Sequence, residues 1–194
     1  MDWLGFDTAR RRRLFLLGLV GRAYRAERDR ARARASEELR KQKALDEKEK
    51  LRALTDEIMT RPRTAATAEK ITEILLSRGR CLGTCPVYVV TLTRGGRASW
   101  HGEDFSERLG DFTGSFIEDQ FVFLADLIER SGFFDWSEIY MSPVTDLATT
   151  SLEITIGSIE KRLVAVYGEG PREFDAITMA VDVLANEINW TRSG

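Results

Sequence analysis

Residues 22–59, RAYRAERDRARARASEELRKQKALDEKEKLRALTDEIM, contain neither proline nor glycine. They are rich in Ala, Arg, Glu, Lys and Leu, which lose little on entering a helix, and they predict one long helix. Between Tyr24 and Leu39 no large apolar side chain occurs. That part has no face to bury and is expected to stand in solvent, supported by neighbours such as Glu38 with Gln42, and Glu47 with Leu51 flanked by Lys48 and Lys50. Leu51, Leu54 and Ile58 then recur at the spacing of an apolar stripe, with Leu45 less well placed. So short a stripe does not define a coiled coil, which needs about three to four heptads. Pro62 ends the helix, and TRPRTAATAEK supplies a small-residue linker.

A solvated helix of this kind needs a core elsewhere, and the composition places it. Of the aromatic residues, eight of ten Phe, three of four Trp and three of four Tyr lie beyond Lys70. Charge divides at the same point. Residues 1–70 carry 19 Lys and Arg against 12 Asp and Glu, a net of +7, and the remainder carries 10 against 19, a net of -9. The expected organisation is a basic helical extension and linker at 1–67 and an acidic domain at 68–194, near the commonest domain size.

Ahead of the long helix, ARRRR is followed by LFLLGLVG. This imitates a secretion signal, but Asp2 and Asp7 dilute the leading charge and no small-x-small cleavage site follows. The run is also far short of the roughly 20 apolar residues that span a bilayer. The expectation is an interfacial or partner-binding patch in a cytoplasmic protein, with membrane-peripheral or exported placement as the alternatives.

Beyond the linker, ITEILLSRG is short and ambiguous, and PVYVVTLTRGGRASWHG reads as a hairpin with a two-residue turn at Gly95-Gly96. SFIEDQFVFLADLIERS reads as an amphipathic helix capped by Ser115 with Glu118 and stopped by Gly132. Its apolar side holds Phe116, Phe121, Leu124, Leu127 and Ile128, with Glu118, Asp119, Asp126 and Glu129 elsewhere. FFDWSEIYMSPVTDLATT is expected to be a loop. A second hairpin follows, with Leu152, Ile154 and Ile156 facing one way, a turn near Gly157-Ser158, and Leu163, Ala165 and Tyr167 continuing on the return strand. Pro171 opens a last helix with Phe174, Ile177, Val181, Leu184 and Ile188 on one face. Strand, hairpin, helix, hairpin, helix implies an α+β fold: an antiparallel sheet of hairpins with two amphipathic helices on one face, preceded by a long N-terminal helical arm.

RGRCLGTCPVYVVTLTRGGRASWHG resembles the opening motif of the domain of unknown function 6438 family of bacterial proteins, carried here by Cys81, Gly83, Cys85, Pro86, Tyr88, Gly96, Trp100 and Gly102. A second block, VTDLATTSLEITI with Thr145 and Asp146 ahead of a strand, then VAVYGEGPREFDAITMAVDVLANEINW, is similar to the family's closing hairpin and final helix. The resemblance covers about residues 71–190 and omits the arm. It implies a fold and a set of shared residues, and no activity, substrate or cofactor.

Cys81 and Cys85 admit three readings. A disulfide would close a short turn in which Gly83 supplies backbone freedom. A zinc site would need four ligands, with His101 as the remaining soft or borderline donor. A reactive thiolate would need its pKa lowered by a cation such as Arg78 or Arg80. The spacing is not that of a thioredoxin-like CxxC motif, and the structural reading is the expectation.

His101 is the sole histidine, which excludes mechanisms needing two. Asp146 is expected to brace its loop rather than act as a base, although with Cys81, Cys85, His101 and Tyr88 it completes the set from which a site would be drawn. RGG and GEGP do not match a phosphate-binding loop. No cofactor is implied. The basic arm permits contact with an anionic membrane, but its interspersed acids argue against specific nucleic-acid reading. The expected function is a non-enzymatic binding module whose arm docks to a protein partner or to itself; the alternative is a thiol-dependent enzyme or redox protein at the Cys81/Cys85 loop.

Overall fold

The computed structural model describes residues 5–63, 67–143, 147–157 and 160–194, with side chains described from residue 27 onward except at 160–163. It divides into two compact units, Met1–Glu49 and Lys50–Gly194.

Helix α1, Gly5–Thr60, supplies the first unit and opens the second. Every residue from 27 to 50 is exposed. With nothing buried, this stretch relies on intrinsic propensity and on pairs one turn apart. Lys41 lies 2.7 Å from Glu37, and the Gln42 amide donates to Asp46 at 2.8 Å; such pairs contribute roughly 0.2–0.5 kcal/mol each. From Leu51 the same helix changes character. Leu51, Leu54, Ile58 and Met59 pack into the core of the second unit, Ile58 completely buried. The second compact unit begins at Lys50, where the apolar stripe of α1 joins its core.

Among the described residues the second unit holds one eight-stranded sheet: β1 Ile71–Arg78, β2 Tyr88–Thr93, β3 Arg97–Gly102, β4 Gly110–Ser115, β5 Ile139–Met141, β6 Thr149–Ile156, β7 Glu160–Tyr167 and β8 Thr191–Arg192, in spatial order β5-β7-β6-β1-β2-β3-β4-β8. Helix α2, Glu118–Arg130, follows β4, and α3, Arg172–Glu187, follows β7. Register lines up one apolar row across the sheet. Leu76 faces Leu152 and Val90, Leu152 faces Val164, and Val90 faces Trp100. A parallel row runs Ile154, Ile74, Leu92, Ala98. These side chains are buried, and their strand neighbours such as Glu73, Ser99 and His101 point the other way, as period-two alternation requires. The two helices cover the apolar face with Phe121, Leu124 and Ile128 from α2 and Phe174, Ile177 and Val181 from α3. The fold is α+β, with a mostly antiparallel sheet and a long N-terminal helix.

Several local expectations are corrected. The ambiguous ITEILLSRG is a central strand, β1. The β2–β3 connection has three residues, since Thr93 pairs with Arg97. Gly96 sits there at φ 72°, a left-handed position that a side chain disfavours, while its N–H bonds to the Thr93 carbonyl at 2.9 Å. Helix α2 starts at Glu118 with Ile117 as its cap. Ser115 belongs to β4, and the Gln120 side chain, not that of Glu118, accepts from the Ile117 N–H at 3.1 Å. On β7, Val164 and Val166 join the core through pairing with β6 and Ala165 is also buried, whereas Tyr167 is exposed and the Leu163 side chain lies outside the described residues. The expected loop after α2 contains β5, which pairs with β7 in parallel, so the sheet is not purely antiparallel.

Asp126 and Glu129, assigned by periodicity to the polar side of α2, are buried. Asp126 accepts from Arg63 Nε at 2.5 Å and Arg130 Nε at 2.9 Å, and Glu129 accepts from the Ala68 backbone N–H at 2.5 Å. Arg130 also donates to the Arg61 carbonyl. Buried carboxylates persist where donors compensate lost hydration. Two of these donors, Arg63 and the Ala68 N–H, come from the segment that follows α1, so these acids fasten it to α2.

Candidate functional site

Cys81 and Cys85 are joined in a disulfide, with Cα atoms 5.8 Å apart, in the connection between β1 and β2. Gly79 N–H donates to the Thr149 carbonyl at 2.7 Å and fixes the start of this connection to β6. At its end, Val87 exchanges backbone bonds with Glu103 and Asp104, 2.8 and 2.9 Å, so the disulfide loop lies along the segment that follows β3. Arg80 adds contacts at 3.1 Å to Glu103 and to Asp104. Between the cysteines, Leu82 is 80% exposed.

Tyr88 opens β2 and sits between Arg78 on β1 and Gly102 on β3. Gly102 has no side chain to occupy that face, and the Tyr88 ring instead lies over Trp100, with centroids 4.3 Å apart and planes 14° apart. A Cβ on Gly102 would overlap the Arg108 carbonyl oxygen and come within 2.7 Å of the Trp100 indole nitrogen. The glycine lets residues 103–109 fold back so that this carbonyl accepts the indole N–H at 3.0 Å.

The Tyr88 hydroxyl enters a closed arrangement. It donates to Asp182 Oδ1 of α3 at 2.5 Å and accepts from Arg78 Nε at 2.9 Å. A second Arg78 nitrogen reaches Asp182 Oδ2 at 2.5 Å, and the third reaches Thr150 Oγ1 at 3.3 Å. Burial, joined by the Asp182 charge and outweighing Arg78, raises the Tyr88 pKa far above its ordinary value. Burial opposes the Arg78 charge, but Asp182 and Tyr88 more than offset it, and its pKa is raised. At neutral pH the phenol is thus a protonated donor, and the cluster joins β1, β2, β6 and α3. Beside it, Pro86, Tyr88, Trp100, Glu107, Asp182 and Asn186 line a cleft of about 170 Å³.

His101 lies next to Trp100 in β3 but on the exposed face, away from Tyr88. Its Nδ1 is 2.6 Å from Asp111, whose hydrogen bond and charge raise the His101 pKa. Asp146, with Val144 and Thr145, lies outside the described residues. The structure thus gathers Cys81, Cys85, Pro86 and Tyr88 at one end of the sheet and leaves His101 on its other face. Gly83 sits in the exposed disulfide loop. Among the described residues no group of three or more His, Cys, Asp or Glu is placed to hold a metal ion.

Sequence reading missed Asp182 and the role of Arg78. The available signal was an acid set among Ala180, Val181, Val183 and Leu184 on an otherwise apolar stretch of α3. A larger feature was also missed: a groove of about 480 Å³ between the end of α1, α2 and α3. Among the described residues no helix is long and apolar enough to cross a membrane.

Residues 72–185 match the family model described as Domain of unknown function (DUF6438). No curated protein matches the chain.

Proposed function

Because the chain belongs to the domain of unknown function 6438 family, which brings no assigned activity, we propose from its geometry that it is a non-enzymatic interaction module. In this reading the basic arm, up to where the second compact unit begins at Lys50, docks the acidic domain to a protein partner or to a further copy of the chain. The observation that carries it is the closure of the motif cluster. The two thiols are spent on each other, the Tyr88 hydroxyl both donates and accepts within the cluster, and each Asp182 oxygen holds a donor. A nucleophile or general base needs an accessible lone pair of suitable basicity, and a buried phenol that keeps its proton at neutral pH is poorly suited to either role.

The arm has the opposite character. Its residues from 27 to 50 are exposed, and the sequence before them joins four consecutive arginines, Arg10 to Arg13, to an apolar run. Opposite charges on the two parts of the chain, +7 and -9, steer encounters between copies and make them salt-dependent. Light scattering of the full chain on a sizing column tests the reading. Association at low salt that weakens at high salt supports it; a monomer at every salt and protein concentration counts against self-docking, and binding to anionic vesicles by such a monomer would turn the arm into a membrane anchor.

A further inference from the structure

Resting on that reading, the geometry points to the groove between the end of α1, α2 and α3 as the receptor for the basic, apolar segment 10–21 of a second copy of the chain. The groove has an apolar floor that the fold leaves unpartnered. Phe123 on α2 is 41% exposed and Val183 on α3 is 46% exposed, and they flank the buried Leu124 and Leu184. Residues like these gain when apolar area is removed from water, and a concave strip between helices is the shape that accepts an amphipathic helix. Its rim is acidic. Asp56 of α1, Asp119 of α2 and Glu187 of α3 stand around it, against Arg52 as the cation among its described lining residues.

The occupant follows from this pairing of apolar floor and acidic rim. The sequence RRRRLFLLGLVG at 10–21 places four guanidinium groups next to Leu14, Phe15, Leu16, Leu17 and Leu19. As a helix it would be about 18 Å long, enough to lie along a groove walled by several turns. Apolar burial would supply most of the binding, and the arginines facing the rim carboxylates would set direction and partner choice. Two copies could exchange arms reciprocally, which gives a closed dimer rather than an open chain.

Charge exchange on the full chain, read by sedimentation velocity with circular dichroism to confirm folding, tests this. Reversing the rim by Asp56→Lys, Asp119→Lys and Glu187→Lys should weaken self-association about tenfold or more, as should Arg10–Arg13 each changed to Glu. Both sets in one chain should restore it. Val183→Glu, on an exposed position, gives a second disruption of the groove that does not depend on the rim. If the arm variant dissociates while both groove variants associate normally, the groove is not the receptor, although docking through the arm stands. Association unchanged in every variant would overturn docking through the arm as well. A chain that is monomeric at all concentrations overturns the second copy as occupant, whether the arm then binds another protein or a vesicle.

Discussion

Tyr88 Oη and Asp182 Oδ1 lie 2.5 Å apart, joining the first residue of β2 to the middle of α3 across a separation of 94 residues. The same carboxylate binds Arg78, so one acid on a helix holds two strands of the sheet. Asp182→Asn keeps the size and removes the charge. It should destabilise the protein by about 2 kcal/mol, the scale of a charged hydrogen bond lost at a mostly buried site. Urea unfolding measures this, and a change within a few tenths of a kcal/mol would show that the cluster holds nothing together.

The raised Tyr88 pKa has a consequence at alkaline pH. A group that keeps its proton more tightly when folded contributes stability that is complete below its ordinary value near 10 and is lost as pH rises through the folded value. Stability should therefore fall above about pH 10 more steeply than in Tyr88→Phe. Tyrosinate absorbance, compared with that of Tyr88→Phe, should show Tyr88 ionising well above its ordinary value near 10 in the folded protein. Ionisation of Tyr88 at the ordinary value would contradict its burial against Asp182.

Gly102 and Gly95 form a matched pair for substitution by alanine. At Gly102 the new methyl group meets the Arg108 carbonyl, Ser106 and Trp100, and at Gly95 nothing lies within 4 Å. Gly102→Ala should cost about 2 kcal/mol or more and shift tryptophan emission to the red as Trp100 loses its partners. Gly95→Ala should be within about 0.5 kcal/mol of neutral. Equal effects at the two positions would show that the 103–109 segment does not lie where the structure puts it.

The disulfide closes a loop with a sequence separation of only 4. Loop-closure entropy for so short a segment gives about 2 kcal/mol, at the low end of what disulfides contribute. Reduction by a dithiol should lower stability by that amount and leave the protein folded. Thiol titration should find none before reduction and two after it. Unfolding on reduction would mean that the bond secures much more than the β1–β2 connection.

His101 offers a local check. Its hydrogen bond to Asp111 raises its pKa, so its proton signals should titrate above the ordinary value of 6.5. Asp111→Asn should return the midpoint toward that value. A midpoint insensitive to the substitution would break the assigned pair.

Legibility in the sequence followed the physics of each element. The exposed stretch of α1 was readable because propensity and pairs one turn apart sustain it, and α2 and α3 because Phe121, Leu124, Ile177 and Val181 recur at the helical period. What periodicity misassigned was set by distant partners. Asp126 and Glu129 look like surface acids until Arg63 and the Ala68 N–H are brought to them. Val164 and Val166 face the core only because β6 fixes the register of β7. Strands β4, β5 and β8 went unread; β5 and β8 are very short, and GDFTGS in β4 carries two glycines and little apolar alternation. At the site, the disulfide and the aromatic pair had a local signature in CLGTCPVY, whereas Asp182 lies 94 residues from Tyr88 and only the fold brings them together.

In the proposed function the motif cluster holds the domain together and the arm makes the contacts. Sedimentation equilibrium on two full-length variants, paired with urea unfolding of each, tests that separation directly. Asp182→Asn should lose stability yet associate like the unchanged chain, and Arg10–Arg13 each changed to Glu should keep stability yet lose association. The reverse pattern, with association abolished by Asp182→Asn in a folded chain and untouched by the arm variant, would contradict it.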